Sequence, residues 1–253
     1  MSSCGLLNKK GNWGKNALYP IKTERIIWSL KKNLSSAHVW LPIAGAGVIV
    51  LGNYEDKVAN WIAEEKHIFP DHKTADDWSD INNQILKYQT YASTLLTPSA
   101  NEENSWGDYL QNKVRGAAVV VTSTSLPRYF HDRISETFPR QRPNKADMRS
   151  FPSSHATKAS AYNMINIKNY EAINMDSNFR IGLITLNTGM AVITSWARVE
   201  GHRHNPTDVM IGYALGSFMS GFIYDSLMNH DPAHSLVILP MNDAWATQYI
   251  VQF

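Results

Sequence analysis

Apolar positions along this chain recur mainly at helical spacing. Val58, Trp61 and Ile62 share one face of a helix continuing from Lys57. Trp78, Ile81, Ile85 and Leu86 repeat the pattern within 76–96. The apolar run 39–51, with Pro42 near its start, falls short of the roughly 20 residues that a membrane span needs. It reads as the first buried helix. Residues 181–197 carry Thr185, Asn187, Thr188, Thr194 and Ser195, and read as another core helix. Further helices are predicted over 153–167, 180–196 and 206–228, and over 106–134 with a kink at Pro127. Residues 69–72 and 98–104 break the pattern. Residues 138–152 form a loop that carries Arg140, Arg142, Lys145 and Arg149. Residues 5–35 show no clear period. The strand-like runs 235–239 and 247–251, with Asn242-Asp243 between them, predict a hairpin. The expected architecture is all-α: an irregular lead-in over 1–35, then a single helical domain over 36–253 with a small C-terminal β-hairpin.

Composition narrows the function classes. The chain has 253 residues, 43% hydrophobic and 18% charged, enough to build a core and too apolar for disorder. Lys+Arg 24 against Asp+Glu 22 leaves a net charge of +2, which argues against a nucleic-acid partner. One cysteine excludes an internal disulfide framework and a Cys-cluster metal site. Mean hydropathy of -0.31 is too low for a chain made mostly of membrane spans. The N-terminus lacks a basic region and an apolar signal region. It nonetheless reads Met1-Ser2-Ser3-Cys4-Gly5, with the cysteine where a processed bacterial lipoprotein would begin. A lipidated Cys4 and a free cysteine on an untied end both fit these residues.

Three segments carry candidate chemistry: 140–143, 151–155 and 196–208. Asn205-Pro206 is a helix-start signal, which sets His204 just before a helix N-terminus. Asp208 follows four residues later, a spacing at which its carboxylate would reach the imidazole and fix the tautomer. Arg198 offers a planar fork for phosphate oxygens. Ser153 and Ser154 open another helix, so a hydroxyl and backbone N–H groups would face an anion, with His155 one residue inside. Arg142 adds a second guanidinium. Two histidines, two arginines and two helix starts suit phosphoryl transfer without a metal. Other readings exist for each part: a local His–Asp bond, a capped helix start, a solvated charge run. A zinc site at His202, His204 and Asp208 is disfavoured by the neighbouring Arg198 and Arg203. No Gly-x-Ser-x-Gly elbow occurs.

Together these segments resemble the signature of the type 2 phosphatidic acid phosphatase and vanadium haloperoxidase superfamily. That signature reads Lys-x6-Arg-Pro, Pro-Ser-Gly-His, then Ser-Arg-x5-His-x3-Asp. Arg142-Pro143 matches the end of the first part. Pro152-Ser153-Ser154-His155 matches the second, with Ser154 at the glycine position. Ala197-Arg198, His204 and Asp208 match the third, with Ala197 at the serine position. The lysine falls on Ser135, which leaves Arg133 or Arg140 to serve instead. Asn12-Trp13-Gly14, residues 40–46 and 77–80, and Cys4-Gly5 look like a bacterial lipoprotein branch of that superfamily.

The resemblance implies a helical bundle and a metal-independent phosphomonoesterase. His204 would be the nucleophile, Asp208 its orienting partner and His155 the acid and base. Arg142, Arg198, Ser153 and Ser154 would hold the phosphate. No cofactor is implied, and vanadate or phosphate would fit the same cradle. The partner would be a phosphorylated small molecule or lipid. The location would be the bacterial envelope facing the periplasm, at the membrane surface through Cys4. A vanadate-dependent haloperoxidase and a non-catalytic envelope lipoprotein are the rival readings.

Overall fold

The computed structural model describes residues 13–65, 67–99 and 105–228, and the backbone of 234–241 and 244–251. Eight helices follow one another among the described residues: α1 (Thr23–Leu34), α2 (Ala37–Leu51), α3 (Glu55–Glu65), α4 (His72–Leu96), α5 (Trp106–Thr137), α6 (Ser154–Ala172), α7 (Ser177–Glu200) and α8 (Pro206–Met228). The fold is an all-α bundle. At its C-terminal end β1 (His234–Met241) and β2 (Ala244–Val251) pair antiparallel, with Val237 opposite Gln248. Cys4 lies outside the described residues.

Helices α6 and α8 form the centre and bury side chains on every turn. Glycine lets them approach closely. A Cβ on Gly212 would stand 2.6 Å from the Ser153 carbonyl oxygen, and one on Gly216 only 2.1 Å from that of Thr157. The Ser153 N–H donates to the Asp208 carbonyl at 2.9 Å, so the two helix starts are fastened side by side. α4 and α7 pack on α6, while α2 and α5 pack on α8. Trp13 is buried between α5 and α8, with its indole donating to the Tyr224 hydroxyl at 3.0 Å.

Two expectations are corrected. First, α1 forms inside the segment read as irregular. Its ordering stripe is polar: Arg25, Ser29 and Asn33 point inward, and Arg25 Nε and Asn33 Nδ2 donate to Asp225 at 2.9 and 3.0 Å. Second, helices read as presenting apolar faces to the core do the reverse. On α4, Trp78, Ile81 and Ile85 are exposed, while Ser79, Asn82, Asn83, Thr90, Ser93 and Thr94 are buried beside Leu86. α2 exposes Trp40, Leu41, Ile43, Val48 and Val50, and Leu51 is 90% exposed. α7 exposes Ile181, Leu186, Val192 and Ile193 and buries Asn187, Thr194 and Ser195. Several of the buried amides and hydroxyls pair across helices. Asn166 Nδ2 donates to Asn187 Oδ1 at 2.9 Å, and Asn169 Nδ2 donates to Ser93 Oγ at 2.9 Å and Thr94 Oγ1 at 3.0 Å. Such pairing removes the cost of burying polar groups. No single described helix is long and apolar enough to cross a membrane, though α1 and α2 together, bent by 51°, meet that composition.

Candidate active site

The turn between α7 and α8 holds His204 in place. The N–H groups of Arg203 and His204 both donate back to the Arg198 carbonyl, at 3.0 and 3.1 Å. The imidazole is buried. Its Nδ1 lies 2.7 Å from the Ser150 carbonyl oxygen. A carbonyl only accepts, so Nδ1 carries the hydrogen and Nε2 keeps its lone pair. Arg142 Nη1 stands 3.4 Å from that Nε2. Burial, with the charges of Arg198 and Arg142, pushes the imidazole well below its ordinary pKa. His204 is therefore a neutral imidazole whose Nε2 lone pair lies next to a guanidinium.

Asp208 does not hold that ring, which corrects the expected contact. The four-residue spacing brings side chains together only when both lie on one helix, and His204 sits in the turn before α8 begins. The carboxylate instead folds back to cap its own helix, accepting from the Asn205 N–H at 2.8 Å. It also accepts from the Ser150 hydroxyl at 2.6 Å and from Arg140 Nη1 at 2.8 Å. It thus fixes the neighbours of His204 on both sides. Burial raises its pKa, against the opposing pull of Ser150 and Arg140.

The two expected guanidinium groups are both in place. Arg142 donates through Nε to Asp147 at 2.7 Å, which turns its Nη1 toward His204. Arg198 is 4% exposed. Its Nη1 donates to Asp76 and, at 3.0 Å, to the Ser79 hydroxyl. Arg203 shares Asp76 at 2.6 Å. Burial pushes the Asp76 carboxyl up, and Arg198 and Arg203 overcome that and hold it below its usual range. The Nε of Arg198 has no partner among the described residues. A buried donor of this kind is open to an acceptor oxygen, from water or a ligand.

Ser153 caps α6, its hydroxyl accepting from the Ala156 N–H at 3.5 Å. The backbone N–H groups of Ser154 and His155 follow in the first turn, where a helix has no internal acceptors. His131 of α5 donates from Nε2 to the Pro152 carbonyl at 2.9 Å and so braces this corner. His155 Nε2 lies 2.7 Å from Asp80 Oδ1. Burial first, then Arg198, lowers its pKa to about 4, with Asp80 acting in the opposite direction.

Both candidate substitutes for the signature lysine are engaged by other side chains. Arg133 pairs with Glu136 on the exposed side of α5 at 3.0 Å. Arg140 is held by Glu55 at 2.9 Å, by Thr207 at 3.0 Å and by Asp208. Ser135 is buried with its hydroxyl unpartnered. The sequence reading assigned no role to Ser150, Glu55, Asp76, Ser79 or Asp80. Only the last three left a signal, as polar residues interleaved with Trp78 and Ile81. Among the described residues, no group of three or more His, Cys, Asp or Glu could hold a metal ion. A separate apolar cavity of about 510 Å³ lies between α2, α3, α7 and α8, and none of His155, His204, Arg142 or Arg198 lines it.

The sequence profile of the PAP2 superfamily matches residues 116–231. No curated protein matches the sequence. Among solved structures, the fold is similar to the transmembrane PAP2-type phosphatidylglycerolphosphate phosphatase from Bacillus subtilis. The TM-score is 0.52 at 15% identity, over 73% of this chain and 90% of that one. His155, Arg198, His204 and Asp208 all fall inside the matched segment, and the bundle that carries them has the same fold. Over residues 116–231 the chain is similar in sequence to the PAP2 superfamily, and its bundle is similar in fold to a PAP2-type phosphatase.

Proposed function

We propose that this protein is a phosphatase that hydrolyses phosphomonoesters, lipid phosphates among them, through a phosphohistidine at His204. One observation carries the reading. A buried imidazole has its hydrogen held on Nδ1 and its Nε2 lone pair beside Arg142, and Arg198 adds an unpartnered Nε donor. The Nε2 lone pair attacks phosphorus as the ester P–O bond breaks. His155 gives a proton to the leaving oxygen, then takes one from the water that attacks phosphorus. The P–N bond breaks, phosphate leaves and His204 returns to its neutral form. Arg142, Arg198, the Ser153 hydroxyl and the Ser154 N–H meet the charge on the equatorial oxygens. Three of the acids nearby are paired with arginines: Asp76 with Arg198 and Arg203, Asp147 with Arg142, and Asp208 with Arg140. Charge neutralisation by guanidinium groups, with no metal, fits that pairing.

The lipid reading draws support from the exposed apolar side chains of α2 and from the substrate named for the Bacillus subtilis enzyme. Envelope location with an anchor at Cys4 extends it. The test is phosphate release from p-nitrophenyl phosphate and from a short-chain lipid phosphate in detergent, with EDTA present. Wild type turns over both and forms an acid-labile labelled phosphoenzyme, and His204→Ala does neither. Full turnover by His204→Ala overturns the nucleophile. Loss of wild-type activity in EDTA overturns the metal-free mechanism.

A further inference from the structure

Asp80 and His155 come from different helices, α4 and α6, and meet at 2.7 Å. We propose that Asp80 is a positioning residue for His155: it holds the imidazole by Nε2 and stabilises its protonated form while Nδ1 exchanges the proton with leaving group and water. This rests on the phosphatase reading above and adds a member from outside the segment that carries the superfamily match.

Three observations support the role. A carboxylate accepts only, so Nε2 bears a hydrogen in this contact and Nδ1 is the nitrogen left for the proton in flight. The groups around His155 otherwise oppose its protonation: it is partly buried, Arg198 reaches it from α7, Lys158 lies one turn on along α6, and His204 stands in the α7–α8 turn. The charges on α5, Arg128 and Asp132, bear on Lys158. Asp80 is the acidic group that favours the imidazolium. Finally, the Asp80 side chain is 68% exposed and has no other side-chain hydrogen bond among the described residues. It contributes little to the core, so its contact with His155 is what it is placed to make. The proton count closes with Asp80 ionised throughout. The imidazolium loses its Nδ1 proton to the leaving oxygen as P–O breaks, and regains one from water as P–N breaks.

The test uses the full chain with Asp80→Asn and Asp80→Glu, assayed on p-nitrophenyl phosphate and on an alkyl phosphate whose alkoxide is a poor leaving group. Asp80→Asn is expected to lose ~10–100-fold in kcat on the alkyl phosphate and much less on p-nitrophenyl phosphate. The basic limb of its kcat–pH profile moves to lower pH, and Asp80→Glu restores much of both. NMR titration gives a readout besides activity: the His155 ring titrates at lower pH in Asp80→Asn than in wild type. Equal losses on the two substrates, or an unmoved His155 titration, overturn the proposal while wild-type turnover leaves the phosphatase reading standing. A wild type that hydrolyses neither substrate removes the phosphatase reading itself.

Discussion

The Ser150 hydroxyl donates to Asp208 at 2.6 Å. The same residue's carbonyl accepts the Nδ1 hydrogen of His204 at 2.7 Å. Asp208 thereby governs a ring that it does not touch. Ser150→Ala keeps the carbonyl and removes the tie, so the ring should lose orientation and the buried carboxylate one of its donors. Steady-state kinetics should show kcat/KM lower by ~10–100-fold, as for other supports of a reactive ligand. Asp208→Asn should lose more, because it also disturbs Arg140 and the start of α8. If Ser150→Ala matches wild type, the relay through Ser150 is wrong.

The two loop arginines should separate cleanly. Arg142 faces His204 Nε2, and Arg142→Ala should cost ~100–1,000-fold in kcat/KM, the range for removing a donor from a developing oxyanion. Arg140 braces Glu55, Thr207 and Asp208 behind the site. Arg140→Ala leaves those carboxylates without a charge partner and should cost about 1–3 kcal/mol of stability. Thermal unfolding beside kinetics checks the split: Arg142→Ala keeps its midpoint and Arg140→Ala does not.

Stability should depend on pH through His155 and His204. The folded pKa of His155 is about 4, against 6.5 ordinarily, and that of His204 lies well below 6.5. Between the two values the unfolded chain binds more protons, so stability rises with pH across that window. Their contribution is complete above pH 6.5 and is lost as pH falls toward 4. Glu55 and Asp76, held below their ordinary 4.5 and 3.8, add to the loss as pH falls below those values. A series of melting temperatures from pH 7.5 down to 4.5 should therefore decline, and His155→Gln should flatten the slope. A slope that His155→Gln leaves unchanged would show that this imidazole is not the titrating group.

The site was more legible in the sequence than the packing. His155, Arg142, Arg198 and His204 sit at helix starts, helix ends and a loop, where local signals such as Asn205-Pro206 fix the backbone. Their convergence is what the resemblance to the superfamily signature implies. Asp208 was placed correctly and given the wrong partner, because its reach was judged along a helix that starts only at Pro206. The packing was misread because periodicity reports which residues share a face, not which way the face turns. Ile81 and Ile85 share one face of α4 and Asn82, Asn83 and Leu86 share another, and the second faces inward. The buried face is held by amide and hydroxyl pairs between helices, and those partners are far apart in sequence. Asn166 with Asn187 and Asn169 with Ser93 are examples.

Asp76, Ser79 and Asp80 lie upstream of position 116, yet between them they grip one guanidinium and one imidazole of the reaction centre. A fragment cut down to 116–231 would retain every residue that matches the signature and lose the side chains that hold two of them. Grafting or trimming experiments on this scaffold must carry α4 along, because the contacts that hold Arg198 and His155 come from it.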